Sequence, residues 1–180
     1  MDNNKSLTSA QTNKNSLNNK MPNKFIIAVM YPNNELFEKA KTELIEHFGE
    51  IAAQSSEYDF TFTNYYEKEF GKNLKKKFLV FKKNVLKEDL PAIRIMTKNI
   101  EDEFRINGNR SVNIDPGFIS KDELVMASLK KALFKEQVNS CYIHKILEFK
   151  NNKIVEFTHT FPDYRIKNNQ DFFLAIQKSI

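Results

Sequence analysis

Cysteine is nearly absent from this sequence, which contains a single one, Cys141. One thiol excludes an intramolecular disulfide and a zinc site built from several cysteines, and it favours a reducing compartment. No apolar run comes near the eighteen or so residues that a membrane helix needs. The N-terminus also lacks the apolar segment of a secretory signal. We therefore expect a cytoplasmic protein with no membrane partner.

Glycine is also scarce, with four in 180 residues. A P-loop needs G-x-x-x-x-G-K-[ST], because its glycines let backbone N–H groups reach the phosphates. The Gly71-Lys72 pair is followed by Asn73 and has no glycine five residues upstream. Neither G-x-G-x-x-G nor a G-x-S-x-G elbow occurs. The sequence therefore excludes a P-loop GTPase and gives nucleophilic catalysis little basis.

The surplus of positive charge is small. The formal net charge is +5, and residues 1–23 contribute +2 of it through three lysines and one aspartate. The net charge of +3 on residues 24–180 is compatible with an anionic ligand. It is smaller than the positive charge expected of a nucleic-acid-binding surface. The lysines between Lys72 and Lys87 surround Phe78 and Phe81, but these rings have opposite parity and cannot share one strand face. We do not expect nucleic acid as a partner.

The composition predicts one folded domain with a polar tail. A hydrophobic share of 41% with sixteen phenylalanines is typical of a globular protein. Residues 1–23 are rich in asparagine and poor in apolar residues, so we expect them to be disordered. The single α+β domain then spans 24–180. Translation could start at Met1 or at Met21.

Hydrophobic periodicity predicts seven elements up to Asp115. They are a buried strand over 24–31, a helix capped by Asn33 or Asn34 and ended by Gly49, a strand over 55–62, a short helix over 65–70, a strand over 75–83, a helix from Asp89 to Asn107-Gly108, and a strand over 112–115. Apart from the short helix, this order matches the ferredoxin-like β-α-β-β-α-β unit, an antiparallel sheet with helices on one face. We expect that core.

The stretch 110–120 is the predicted centre of the site. Val112 and Ile114 alternate with polar residues as in a half-buried strand, and Asp115-Pro116-Gly117 favours a turn. Ser120 and Glu123 form a capping-box pattern, which predicts a helix from Lys121. Its inward residues would be Leu124, Val125, Leu129, Ala132 and Leu133. A hairpin of 142–149 and 153–161 around Asn151-Asn152 and a last helix over 170–178 would complete the fold.

Spaced Tyr-Tyr, Asn-x-Asp-Pro-Gly and Pro-Asp-Tyr elements occur in the segments 62–71, 110–117 and 160–164, with a further segment at 124–130. In this order and spacing they resemble a family of uncharacterised prokaryotic proteins that is known as a domain of unknown function. The resemblance covers residues 24–178. Some members of that family carry a GTP-binding label, so the resemblance implies a nucleotide as a candidate ligand without implying a mechanism.

The first functional hypothesis is a pocket for a small anionic ligand. Arg110 would meet the anionic group, since its planar fork matches carboxylate and phosphate oxygens. The ligand-binding candidates are Tyr65, Tyr66, Arg110, Asn113, Asp115, Asp163, Tyr164 and Arg165. In the alternative interpretation these residues only shape the fold: Asp115 holds the turn, Arg110 and Asp163 form a salt bridge, and Tyr164 packs in the core.

His144 and His159 are the candidates for a metal site. A two-residue loop pairs Lys150 with Lys153, and counting outward places the two histidines opposite each other, with Asp163 as a further ligand. A slip of one residue would separate them. The alternative is two half-exposed histidines on a sheet.

Three functional classes follow. The first is a binding module for an anionic ligand, with a nucleotide such as GTP held by a non-P-loop mode as one candidate. The second is a hydrolase or transferase that uses Asp115 and Asp163 with a divalent ion. The third is an interaction protein with no small-molecule site. The sequence specifies no cofactor, substrate or oligomeric state.

Overall fold

The computed structural model describes residues 23–132 and 134–180. The predicted disordered tail lies outside the described residues except for Asn23, and Leu133 of the predicted third helix lies outside them as well. None of the described helices combines the length and the apolar character that crossing a membrane would require.

The described residues form eleven strands and four α-helices. The strands are β1 (Asn23–Tyr31), β2 (Ile51–Gln54), β3 (Tyr58–Asp59), β4 (Lys75–Val85), β5 (Arg105–Ile106), β6 (Asn109–Arg110), β7 (Asn113–Ile119), β8 (Glu123–Ser128), β9 (Glu136–Val138), β10 (Cys141–Lys150) and β11 (Lys153–Glu156). The helices are α1 (Asn34–Phe48), α2 (Glu67–Phe70), α3 (Leu90–Glu103) and α4 (Lys167–Lys178), with 3₁₀ turns at Lys87–Asp89 and Pro162–Arg165.

One large sheet organises the molecule. Its strands follow the order β11-β10-β8-β7-β1-β4-β2, while β3 also pairs with β4 and β9 with β10. Each of these pairs is antiparallel. The prediction of a mixed fold with helices and a mostly antiparallel sheet is confirmed.

Both faces of the sheet are covered, and β1 is apolar and buried from Phe25 to Tyr31. On one face Ile27 and its neighbours pack against α1 and α3. On the other face Ile26 and Phe78 pack against Phe173 of α4. The predicted start of α1 is confirmed, since Asn33 Oδ1 accepts a hydrogen bond of 3.0 Å from the Leu36 N–H. A strand buried on both faces loses the alternation of a half-buried one.

The predicted helix from Lys121 is wrong, because Glu123–Ser128 is strand β8. Ser120 Oγ does accept hydrogen bonds from the N–H groups of Asp122 and Glu123. These bonds close the turn between β7 and β8 instead of starting a helix. Pairing of β8 with β7 on one side and β10 on the other then fixes the segment as a strand.

The predicted turn at Asp115-Pro116-Gly117 is also wrong, since β7 runs straight through it. The Ile114 N–H points away from β1, towards Glu101 of α3. N–H groups two residues apart in a strand point the same way, so the missing donor of Pro116 removes no hydrogen bond to β1. Gly117 supplies room: a Cβ there would lie 2.0 Å from the carbonyl oxygen of Val125.

Three predicted boundaries shift. Asn107 and Gly108 do not end a helix, because α3 stops at Glu103 and these two residues form the positive-φ turn of the β5–β6 hairpin. The strand predicted over 55–62 is reduced to β3. The pairing of Lys150 with Lys153 is confirmed, but β11 ends at Glu156 and the hairpin never reaches His159.

Candidate functional site

A cleft of about 730 Å³ opens where β7 and β8 part. The two strands pair only over Gly117–Ile119 of β7, so among the described strands the earlier part of β7 has no partner on that side. Asn113 and Asp115 of β7, Ala127 and Ser128 of β8 and the end of α3 line the gap. The size falls within the range of small-molecule sites, roughly 300–1,000 Å³.

Seven of the eight predicted ligand-binding residues lie in this cleft. They are Tyr65, Tyr66, Arg110, Asn113, Asp115, Asp163 and Tyr164. Arg165 does not line it: its guanidinium donates to the carbonyl oxygens of Phe157 and Thr160 and pairs with Glu156. That residue therefore ties the chain segment before α4 together.

Arg110 is held by acidic partners. Its Nε and Nη2 donate to the two carboxylate oxygens of Glu69 at 2.7 and 2.8 Å, and its Nη1 lies 3.2 Å from Glu101. This clamp lowers the pKa of Glu69. The Arg110 side chain also reaches Asn113 Oδ1 at 3.4 Å. The predicted salt bridge of Arg110 with Asp163 does not form, and the contacts give Arg110 a positioning role.

Asp115 keeps part of its carboxylate available. Asn113 Nδ2 donates to Asp115 Oδ2 at 2.6 Å, while Asp115 Oδ1 lies 4.0 Å from Arg94 Nη2. The side chain is 34% exposed. Its predicted role of holding a turn through backbone contacts has no counterpart, because the residue lies in a strand. Among the described residues no donor lies within hydrogen-bond distance of Asp115 Oδ1, so that oxygen can accept from a ligand.

The contacts of the Asp163 carboxylate stabilise the fold. It is buried, and its Oδ2 accepts from Lys76 Nζ at 2.6 Å and from Tyr58 Oη at 3.1 Å. Its neighbour Tyr164 is also buried and packs on Phe173. Burial raises the pKa of the Tyr164 hydroxyl well above its ordinary value. Asp163 and Tyr164 therefore form a wall of the cleft. For Tyr164, this packing is the role that the fold-shaping interpretation predicted.

Helix α3 contributes charged groups that the sequence reasoning missed. Arg94 Nη1 donates to Thr97 Oγ1 at 3.0 Å, and Glu101 Oε1 accepts from the Ile114 N–H at 2.7 Å. Glu101 is 1% exposed, and burial raises its pKa despite Arg94 and Arg110. Arg94 Nε is buried with no hydrogen-bond partner among the described residues. Arg94, Thr97 and Glu101 follow one another at helical spacing beside the apolar stripe of α3. This spacing is the sequence signal that could have identified them.

Lys130 and Lys135 were missed as well. Lys130 Nζ lies 3.1 Å from Tyr65 Oη and above that ring, and Lys135 Nζ donates to Ser128 Oγ at 3.1 Å. Burial lowers the pKa of Lys135. Within the described part of the chain neither lysine has a carboxylate partner. They contrast with Lys76, Lys98 and Arg105, which pair with aspartates.

The lining of the cleft carries more cationic than anionic side chains. Seven cationic side chains and four carboxylates line it. The cations are Lys76, Arg94, Lys98, Arg105, Arg110, Lys130 and Lys135, and the carboxylates are those of Glu101, Asp102, Asp115 and Asp163. Exposed rings stand among its lining, with Phe62 at 40%, Tyr65 at 66% and Phe161 at 46% exposure. Large exposed rings beside a charged cleft can hold a flat ligand by stacking.

The two histidines lie close together, with ring centroids 5.1 Å apart, although not as strand partners. His159 Nε2 donates to the Lys145 carbonyl oxygen, and Phe134 stacks on the His159 ring. Among the residues described, no group of three or more His, Cys, Asp or Glu is placed to hold a metal ion. The proposed third ligand, Asp163, is occupied by Lys76. Aromatic rings therefore surround the pair in place of further ligands.

His144 should make the fold sensitive to acid. Burial, followed by His159 and Lys135, lowers its pKa from 6.5 to about 4. Because the unfolded chain then binds more protons between these two values, stability falls as the pH drops through that window. From pH 7 to pH 5 the loss should be about 2 kcal/mol.

Urea unfolding at both pH values tests this expectation with His144→Gln. The variant should lose less stability on acidification than the wild type. The exposed His47, at the end of α1, provides the control His47→Gln, which should behave as the wild type. Equal losses in all three proteins would show that His144 is not the group responsible.

The lysine-rich strand β4 offers no platform for stacking bases. Phe78 and Phe81 are both fully buried, and Lys76 is buried with Asp163. Lys75 pairs with Glu57, and Lys82 pairs with Glu50. The lysines of β4 are therefore ion-paired or exposed to solvent, as is usual for charged residues of a strand.

The fold and cleft thus define a mixed α/β protein built on a mostly antiparallel sheet, with a cation-rich cleft at one strand gap. A family model described as Domain of unknown function (DUF4416) matches residues 21–179, and the chain belongs to this family. The resemblance predicted from the sequence is confirmed. Searches among curated proteins and among solved structures found no match to this chain.

Proposed function

We propose that this protein binds a small anionic molecule in the cleft, and that a nucleotide such as GTP, held without a P-loop, is the leading candidate. The observation that carries the proposal is the pair Lys130 and Lys135, which line the cleft with no carboxylate partner among the described residues. A cation that lines a cleft without a carboxylate partner is available to a phosphate or carboxylate. Arg94 adds a guanidinium whose buried Nε has no hydrogen-bond partner in the described part of the chain.

The aromatic lining supports a ligand with a flat ring over a simple inorganic anion. Tyr65, Phe62 and Phe161 expose ring surface in the same cleft that holds the lysines. Lys130 lies over Tyr65, so a charged group and a ring would be held side by side. A nucleotide combines these two features.

We also propose that the core is ferredoxin-like and that the protein acts in the cytoplasm. In a ferredoxin-like unit the first strand lies between the third and the fourth, and the second lies outside the third. The order β7-β1-β4-β2 supports this, because β1, β2, β4 and β7 would be the first, second, third and fourth strands of the unit. The two crossover helices would be α1 and α3. The single free thiol, Cys141, supports a reducing compartment.

The other two functional classes have less support. A hydrolase or transferase using Asp115 and Asp163 would need both carboxylates, yet Asp163 is bound to Lys76 and Tyr58. An interaction protein without a small-molecule site would leave the unpaired lysines and Arg94 Nε without a role. Binding without turnover therefore fits the contacts best.

The lysine pair gives the decisive variant. Replacing both residues, Lys130→Ala with Lys135→Ala, should weaken nucleotide binding about 100-fold, since a hydrogen bond to a charged group contributes roughly 1.5–3 kcal/mol. Isothermal titration with GTP, ATP and inorganic pyrophosphate measures the change. The thermal midpoint of the wild type should rise with each ligand that binds, because ligands of the folded state stabilise it.

Lys131 provides a matched control. It is exposed, lies between the two lysines in sequence and does not line the cleft. Lys131→Ala should therefore bind nucleotide within about twofold of the wild type, because surface charges act weakly. Undiminished binding by the double variant, or an equal loss in Lys131→Ala, would contradict the proposal.

A further inference from the structure

We infer that Asp115 accepts a hydrogen bond from a neutral donor of the ligand, a hydroxyl or amino group close to the anionic group. This inference rests on the proposed function and narrows the ligand class to phosphate esters of sugars, nucleotides included. Simple inorganic anions would bind less well because they bring charge without that donor.

The free capacity of the carboxylate is the first observation. An ionised carboxylate has about four lone-pair sites, and within the described part of the chain Asp115 uses one of them, for Asn113 Nδ2 at 2.6 Å. The nearest cation, Arg94 Nη2, is 4.0 Å from Oδ1, too far for a hydrogen bond. The side chain lines the cleft and is partly exposed, so a ligand can reach it.

The second observation is that neighbouring residues fix the carboxylate in place. Glu69 clamps Arg110 through two hydrogen bonds, Arg110 contacts Asn113, and Asn113 donates to Asp115. A site group held by such a chain keeps its geometry before the ligand arrives. The series begins on α2, crosses β6 and ends on β7 at the cleft.

The third observation is Arg94, which does not require Asp115 as its counter-ion. Its closer carboxylate is Glu101 at 3.5 Å, and both side chains are buried. An extra carboxylate in an anion site repels the ligand unless it receives a donor in return. Such a group selects against anions that lack the donor, which is a recognised source of specificity.

The test compares three ligands on Asp115→Ala, one inorganic anion and two phosphate esters of sugars. Inorganic pyrophosphate should bind this variant several-fold more tightly, because a repulsive charge is gone. Ribose 5-phosphate and GTP should bind about 10-fold more weakly, because a charge-assisted hydrogen bond is lost. Asp115→Asn keeps the shape of the side chain and should give the same signs with a smaller loss for the esters.

The outcomes separate the two claims. If every ligand binds Asp115→Ala more tightly, Asp115 is only a counter-charge and the inference is wrong, while the proposed function stands. If no affinity changes in either variant, the inference is also wrong. If the wild type binds none of the three ligands, the proposed function fails and the inference fails with it.

Discussion

Replacing Asp163 by alanine should destabilise the protein by about 3–5 kcal/mol, the usual effect of removing one partner of a buried ion pair. The variant leaves the Lys76 ammonium uncompensated in a site where its side chain is 9% exposed. It also removes the acceptor of Tyr58 Oη. Urea unfolding followed by circular dichroism measures the loss.

Two further variants separate burial from charge. Lys167→Ala removes a surface charge whose partner Asp171 is also exposed, so it should change stability by at most about 1 kcal/mol. Combining Asp163→Ala with Lys76→Met removes both charges and should recover much of the loss, because the two sites are coupled. A loss for Asp163→Ala as small as that of Lys167→Ala would show that the pair does not stabilise the fold.

Gly117→Ala should be similarly damaging, with a loss of about 3 kcal/mol or more. The new Cβ would lie 2.0 Å from the Val125 carbonyl oxygen and 2.6 Å from Met126 Sδ. Since the first of these atoms belongs to the backbone of β8, the two strands would have to separate beside the cleft. The urea midpoint of the variant measures the effect.

Gly108→Ala is the matched control for this change. Gly108 has a φ of +82°, but a Cβ there would meet nothing within 4 Å. The strain of a positive φ should cost about 1 kcal/mol. If Gly117→Ala proved as mild as Gly108→Ala, the close approach of β7 and β8 would not be a real constraint.

The elements with strong local signals were predictable. β1 has an uninterrupted apolar run, α1 has a capped amphipathic pattern, and β4 has an apolar run bounded by lysines. Each of the three occurs where it was expected. β8 was not predictable, because Leu124–Ala127 is apolar without alternation and could belong to a helix or to a strand buried on both faces. Likewise Pro116-Gly117 has turn chemistry, but pairing with β1 makes it a strand, and Pro116 is tolerated because its missing N–H would point away from β1.

The candidate site was predictable where its residues lie in the segments that carry the family resemblance. Tyr65, Asn113 and Asp115 were found in this way. Arg94 and Glu101 were missed because charged residues on a helix usually face solvent, and only the packing of α3 against β7 buries them. Lys130 was missed because its segment was assigned to a helix. Ion-pair partners that are far apart in sequence do not follow from local patterns.

The most direct test of the central claim is a crystal structure of the protein grown with GTP. The account predicts density for the nucleotide in the cleft, with phosphate oxygens within hydrogen-bond distance of Lys130 or Lys135 and a donor group near Asp115. A nucleotide bound elsewhere, or an empty cleft in crystals grown at a saturating concentration, would contradict it.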